Sequence, residues 1–203
     1  MKIICIGRNY TEHIEELQNE KPEEPVVFIK PDSSVLPKSN PFVIPEFSED
    51  VHYEVEVLVK INRLGKYISE KFAHKYYNEI GLGIDFTARD LQAKLKAKGL
   101  PWEKAKGFDG ATLIGRKWFE KDKFDLNDLN FSLSKNGEVV QDGNTKFMLW
   151  KIDELISYVS QFFTLKIGDI IFTGTPSGVG KVNEGDVLTG KIEDHKVFKV
   201  NVK

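Results

Sequence analysis

A mixed α+β fold weighted toward strands is predicted by three observations. Short runs of β-branched and aromatic residues, broken by Gly, Pro and Asn, recur along the chain. One long segment, Phe147 to Phe163, repeats its apolar residues at helical spacing. Everything after Leu165 reads as small strands separated by Gly-Asp turns.

The first strand is expected at residues 2–6, where the apolar run ends at Gly7. Tyr10 to Asn19 has helical composition and stops before Lys21-Pro22-Glu23-Glu24-Pro25. Val26 to Ile29 is a short strand. Five prolines from Pro25 to Pro45 then predict a long extended loop, because each fixes φ and removes a backbone donor. The strand around Glu54 ends at Asn62-Arg63-Leu64-Gly65. Ile68 to Asn78 reads as a helix and Glu79 to Phe86 as an apolar strand with Asp85 at its far end. Thr87-Ala88-Arg89-Asp90 opens a basic helix reaching about Lys98. Asp125 to Leu133 leads to a hairpin turning at Lys135-Asn136-Gly137-Glu138, where Asn-Gly supplies two left-handed positions. Leu149, Ile152, Leu155, Ile156, Val159 and Phe163 form one helix face, which core packing alone explains. No linker or composition break divides residues 1–203, so one domain is expected.

Composition bounds the function classes. The chain has 203 residues, 40% of them hydrophobic and 30% charged, enough for a sizeable core. With 29 basic against 31 acidic residues there is no field to attract a polyanion, so nucleic acid is not expected and small molecules are. Cys5, the single cysteine, excludes an internal disulfide and multi-cysteine metal centres. No signal peptide or membrane-spanning apolar run is read, and a cytoplasmic location is expected by default.

His52-Tyr53-Glu54-Val55-Glu56-Val57-Leu58-Val59 is the most informative stretch. On a strand, Glu54 and Glu56 share one face while Tyr53, Val55 and Val57 occupy the other. A wet edge strand would explain this pair. If both are buried, repulsion and desolvation raise at least one pKa unless a divalent cation holds both ionised. Two nucleotide motifs fail: Thr175 and Val182 break the phosphate-loop spacing around Gly180, and Phe86 stands where a third dinucleotide-loop glycine would follow Gly81 and Gly83.

Several blocks in order resemble the fumarylacetoacetate hydrolase family, especially its small acylpyruvase-like branch. They are Gly7-Arg8-Asn9-Tyr10 with His13 and Glu16, Phe28-Ile29-Lys30-Pro31, His52-Tyr53-Glu54-Val55-Glu56, and Asp85-Phe86-Thr87-Ala88-Arg89-Asp90-Leu91-Gln92. Pro101-Trp102, Lys106-Gly107-Phe108-Asp109, Asn136-Gly137-Glu138 with Gln141, and Gly168 to Gly180 follow, the last being the most specific. The resemblance implies a twisted, sandwich-like β roll with peripheral helices, a homodimer, and Mg²⁺ or Mn²⁺ held by Glu54, Glu56 and Asp85. Three carboxylate oxygens suit such a hard cation and leave positions for a 2-oxo acid or 1,3-dicarbonyl substrate. His52 is a candidate support for the carboxylates.

The implied chemistry is hydrolysis of a carbon–carbon bond in an acylpyruvate-type 1,3-dicarbonyl, with the metal stabilising the departing enolate. His13 and Glu16, three apart on a helix, would activate water, and Glu15 would face elsewhere. Lys106 is the expected cation for developing charge, with Arg8, Lys30, Arg89, Gln92 and Thr175 as further substrate contacts. The crowded Lys94, Lys96 and Lys98 read as a solvated helix face. Gly7 and Pro22, flanking the first helix, would let it close over substrate. The same apparatus suits decarboxylation or keto–enol conversion of oxaloacetate, isomerisation of 2-hydroxyhepta-2,4-diene-1,7-dioate, or binding of a 2-oxo acid without turnover.

Overall fold

A computed structural model of the protein describes residues 1–16 and 21–203. The chain opens with β1 (Ile3–Gly7), α1 (Thr11–Glu16) and β2 (Val26–Lys30). After the proline-rich loop come β3 (Val51–Tyr53), β4 (Val55–Ile61), α2 (Glu70–Ala73), β5 (Tyr77–Asp85) and β6 (Thr87–Ala88). Helices α3 (Arg89–Ala97) and α4 (Glu103–Lys106) precede β7 (Thr112–Ile114) and β8 (Phe119–Glu120). The hairpin β9 (Asn130–Lys135) and β10 (Glu138–Asn144) turns at Asn136-Gly137 as expected. Helix α5 (Ile152–Phe162) and the strands β11 (Ile170–Phe172), β12 (Gly180–Lys181), β13 (Val187–Ile192) and β14 (His195–Asn201) complete it.

Seven strands form the main sheet, in the order β2-β1-β11-β4-β5-β7, with β8 also pairing β5. β1 and β11 run parallel; the other pairs in this sheet are antiparallel. A four-stranded sheet, β10-β9-β13-β14, and a three-stranded one, β12-β3-β6, accompany it. The result is the strand-dominated, sandwich-like roll with helices at its periphery. Among the described residues, no helix is long and apolar enough to cross a membrane.

The two faces of the main sheet differ, which sets where the site falls. On one face Val55, Val57, Ile80, Leu82 and Ile84 pack on Phe131, Leu133 and Leu188 of the four-stranded sheet. Further along, Val59, Ile61, Ile4 and Ile6 pack under Ile152, Leu155, Ile156 and Val159 of α5. Each such burial contributes roughly 1.5–3 kcal/mol before entropy is counted, so this face carries the core. The opposite face bears a smaller patch of Ile3, Cys5, Leu58 and Phe172. Cys5 feels the charges of Asp85 and Glu56, which share that face.

Three element readings change, and a fourth is described only in part. The expected helix at Ile68 to Asn78 shrinks to Glu70–Ala73, because Tyr77 pairs with Ile61 and is buried in the sheet. The amphipathic segment from Phe147 becomes regular only at Ile152, where the Lys151 N–H donates to the Glu154 carboxylate at 2.6 Å and marks the helix start. Thr87-Ala88, expected to open a helix, instead pairs with Val51 and His52 as β6. The first helix is seen over Thr11–Glu16, and its expected continuation to Asn19 lies outside the described residues, as does the side chain of Glu15.

Candidate active site

The strand carrying the glutamate pair breaks at Glu54, passing from the three-stranded sheet into the main one. β4 lies between β11 and β5, so this is no wet edge strand. Glu54, Glu56 and Asp85 are 5%, 2% and 1% exposed, and an oxygen of each lies within 4.8 Å of the others. Gly83 stands opposite Glu56 in the register, where a Cβ would come within 2.3 Å of the Leu113 carbonyl oxygen and 2.9 Å of Leu58. Only glycine permits that close approach.

A second segment converges on the pair. The Gly174 N–H donates to Glu56 Oε2 at 2.6 Å from a left-handed backbone at φ +102°. Gln141 accepts from the Val55 N–H at 2.9 Å and donates to Thr175 Oγ1 at 2.8 Å and to the Pro176 carbonyl at 3.1 Å. One amide thus ties the backbone between the glutamates to the loop holding Gly174.

Cations meet the carboxylates unequally. Lys106 Nζ donates to Glu54 Oε2 and Asp85 Oδ2, both at 2.7 Å, and to Thr87 Oγ1 at 2.6 Å. The Arg89 guanidinium pairs with Glu54 and donates to Gln92 Oε1 at 2.8 Å. Lys30, fully buried, lies 2.5 Å from Asp85 Oδ1 as an ion pair that leaves this oxygen without a directed hydrogen bond. Burial would raise the Glu54 carboxyl, but Lys106 and Arg89 outweigh it and hold the group far below the usual range. Glu56 goes the other way: burial, then the charges of Asp85 and Glu54, push it well up, and the Gly174 hydrogen bond only partly offsets them.

This donor set fits a divalent metal. Glu56 has no cationic partner at hydrogen-bond distance among the described residues, and Asp85 Oδ1 is short of a donor. A hard cation coordinated by these three oxygens would satisfy both and keep Glu56 ionised.

The cavity over the triad is also bordered by Arg8, His13, Arg89, Gln92, Lys96, Lys106 and Thr175, with Phe28 and Trp102 as an aromatic wall. Those two rings meet edge to face at 5.9 Å between centroids. His13 Nδ1 lies 3.3 Å from Glu16 Oε2, and burial holds the imidazole below its usual pKa despite the charges of Glu54 and Glu16. Helix α1 is docked on the glycine-rich loop: the Gly178 N–H donates to Glu16 Oε1 at 3.0 Å and the Ser177 hydroxyl to Glu12 at 3.1 Å. A wider groove of about 440 Å³ between Leu36–Pro41 and β14 is lined by no carboxylate or imidazole. Its charged side chains are lysines and Arg116.

Most of the residues singled out in the sequence meet in this cavity. Glu16 reaches it through His13, while Lys30 does not line it and instead backs Asp85. His52 bonds Asp50 at 3.0 Å rather than a triad carboxylate. Lys96 borders the cavity although its run of lysines read as solvated; Arg89, Gln92 and Lys96 sit three and four apart, one helical face, which is the signal that finds it. Burial and the neighbouring Arg8 and Arg89 hold the Lys96 ammonium below its usual range. The roles of Gln141 and Gly174 had no sequence signal beyond their place in matched motifs.

Comparison with known proteins agrees. The family profile described as fumarylacetoacetate (FAA) hydrolase C-terminal matches residues 2–202. The chain is 43% identical over 197 residues to oxaloacetate tautomerase YcgM of Escherichia coli (strain K12), covering 97% of this chain and 90% of that protein. It is 44% identical over 189 residues to a mitochondrial oxaloacetate decarboxylase of Dictyostelium discoideum, covering 92% and 86%. A fumarylpyruvate hydrolase from Pseudomonas aeruginosa, solved with Mn²⁺ and pyruvate, superposes with a TM-score of 0.92 at 32% identity, covering 100% of this chain and 89% of the other.

Proposed function

The chain belongs to the fumarylacetoacetate hydrolase family, and on that premise we propose that it is a Mg²⁺- or Mn²⁺-dependent enzyme interconverting keto and enol forms of oxaloacetate or a similar 2-oxo diacid. The observation that carries this reading is the buried triad of Glu54, Glu56 and Asp85 facing His13 in one cavity. The near full-length likeness to an oxaloacetate tautomerase supports the choice of reaction over hydrolysis.

Glu54, Glu56 and Asp85 hold the cation, which when bound supplies Lewis acidity that makes the C3 hydrogens of a 2-oxo acid more acidic. His13 is the neutral base of the cavity: with Nδ1 turned to Glu16, Nε2 takes the C3 proton and returns it to the substrate's 2-oxygen. Lys106, held at full charge by Asp85 and Glu54, would offset through space the negative charge that develops on that oxygen. Arg89 and Gln92 orient the substrate carboxylate, and Thr175 borders the same space. Phe28 and Trp102 exclude water that would return the proton unselectively.

The His13–Glu16 pair also favours a second reading, acylpyruvate hydrolysis. There it would deprotonate water, whose oxygen adds to the outer carbonyl before the carbon–carbon bond breaks and the pyruvate enolate leaves.

The test is to add enol-rich oxaloacetate with Mg²⁺ and follow enol absorbance, with pyruvate assayed by proton NMR and acetylpyruvate run in parallel. Tautomerisation predicts faster enol loss without matching pyruvate release, abolished by excess chelator and in Glu54→Ala. Pyruvate formed at the rate of enol loss would mean decarboxylation instead. Equal acetate and pyruvate from acetylpyruvate would establish hydrolysis.

A further inference from the structure

The Gln141 amide is fixed in direction by its partners. Only 1% exposed, it accepts from the Val55 N–H, which can only donate, and gives a hydrogen to the Pro176 carbonyl, which can only accept. Those two contacts settle which end of the amide is oxygen and which is nitrogen. The nitrogen also faces Thr175, so the Thr175 hydroxyl is the acceptor of that 2.8 Å bond. Among the described residues the hydroxyl's own proton has no acceptor, although Thr175 is 3% exposed and borders the cavity.

The backbone puts the amide there. Gln141 lies on β10, the edge strand of the four-stranded sheet, just past a bulge where the register with β9 shifts between Val139 and Gln141. An extra residue of this kind re-aims the side chains beside it. The glycine-rich loop leans on the same place: a Cβ at Gly178, whose φ is +92°, would come within 2.2 Å of the Val140 carbonyl oxygen. Strand and loop are thus in direct backbone contact, and the amide spans them to hold Thr175 in one orientation.

We infer that Gln141 is a positioning residue that makes the Thr175 hydroxyl a hydrogen-bond donor to an oxygen of the bound substrate. A hydroxyl that accepts from Gln141 has its proton left for another acceptor, and a 2-oxo acid in the cavity brings carboxylate and carbonyl oxygens that can take it. Gln141→Glu would reverse the bond, because an ionised carboxylate can only accept and would draw the Thr175 proton to itself. The inference rests on the enolisation reading above and names how that site holds its substrate.

The experiment titrates pyruvate, the simplest 2-oxo acid, into Mn²⁺-loaded wild type, Thr175→Val, Thr175→Ser, Gln141→Met and the double variant of Gln141→Met with Thr175→Val, by calorimetry. Thr175→Val and Gln141→Met are each expected to weaken pyruvate binding about ten-fold, while Thr175→Ser, which keeps the hydroxyl, recovers affinity to within about three-fold of wild type. Because the amide acts through the hydroxyl, the double variant should bind within about two-fold of Thr175→Val alone. Losses that multiply in the double variant, or wild-type affinity in either Thr175→Val or Gln141→Met, overturn the assignment, as does a wild type that binds no pyruvate. If Gln141→Met does not fold, Gln141→Glu, which keeps an acceptor for the Val55 N–H, takes its place in the same cycle. A wild type that binds pyruvate without speeding the loss of oxaloacetate enol would instead sink the enolisation reading, and the cycle would still decide for or against Gln141.

Discussion

Glu54 and Glu56 are two residues apart and experience opposite electrostatics, because Lys106 and Arg89 pair with one, whereas among the described residues no side-chain cation pairs with the other, and the charge of Lys106 only partly offsets its burial. Glu56, whose described hydrogen-bond donor is the Gly174 N–H, is the carboxylate that a bound divalent cation would keep ionised. Glu54→Ala or excess chelator should therefore remove Mn²⁺ binding, read by calorimetry, and lower activity about 100-fold or more. His13 gives the pH prediction. Burial holds its pKa below the ordinary 6.5, so it is neutral near pH 7, and kcat/KM should rise with pH to a plateau whose inflection lies below that value. Glu16 raises this pKa through its hydrogen bond and charge, so Glu16→Gln should move the inflection further toward acid, measured as a pH–rate profile. An unchanged inflection would mean that His13 is not the titrating base. Residue types in family motifs were readable at this scale, whereas Lys96 hid among Lys94 and Lys98 until the face of α3 was known.

Glycines let separate elements touch at the triad. A methyl at Gly83 would press on the Leu113 backbone, which cannot swing aside, and Gly83→Ala should cost about 1–3 kcal/mol in thermal unfolding. Gly174→Ala would force a side chain into φ +102° with its Cβ 2.7 Å from that of Asn9. Because the Gly174 N–H is aimed at Glu56, this variant should also weaken Mn²⁺ binding, a loss that Gly83→Ala of equal instability need not show. The elements were legible where a local period ruled, as along β4 and α5. They were not at Ile68 to Asn78, where pairing of Tyr77 with Ile61 overrides helical spacing.

Across the whole molecule, the parallel pairing of β1 with β11 joins residues near the start of the chain to others about 167 positions later. Asp169 fastens that joint: it accepts from the Lys2 and Lys166 backbone N–H groups at 2.7 and 2.8 Å and pairs with the Lys2 ammonium. These partners hold its carboxyl below the ordinary 3.8 against the opposing effect of burial. A carboxylate with a depressed folded-state pKa contributes stability that is complete above the unfolded value and lost as pH falls through the folded one. Asp169→Asn should thus cost about 1–3 kcal/mol at neutral pH and flatten the fall in stability below about pH 4, both read from denaturant unfolding.

The sequence by itself determined the strand-rich class, the hairpin at Asn136-Gly137 and the shared face of Glu54 and Glu56, since each is written in neighbouring residues, while Asp85 joined that pair only through the resemblance of the family blocks. Tertiary structure decided that β4 is interior, that Lys30 backs Asp85 instead of facing the cavity, that His52 turns to Asp50, and that Lys96 reaches the rim. Side-chain alternation is a local property of the backbone, but burial and charge pairing are not. Glu56 meets Gly174 across 118 residues, and no local pattern encodes a contact that only the assembled sheet brings within 2.6 Å.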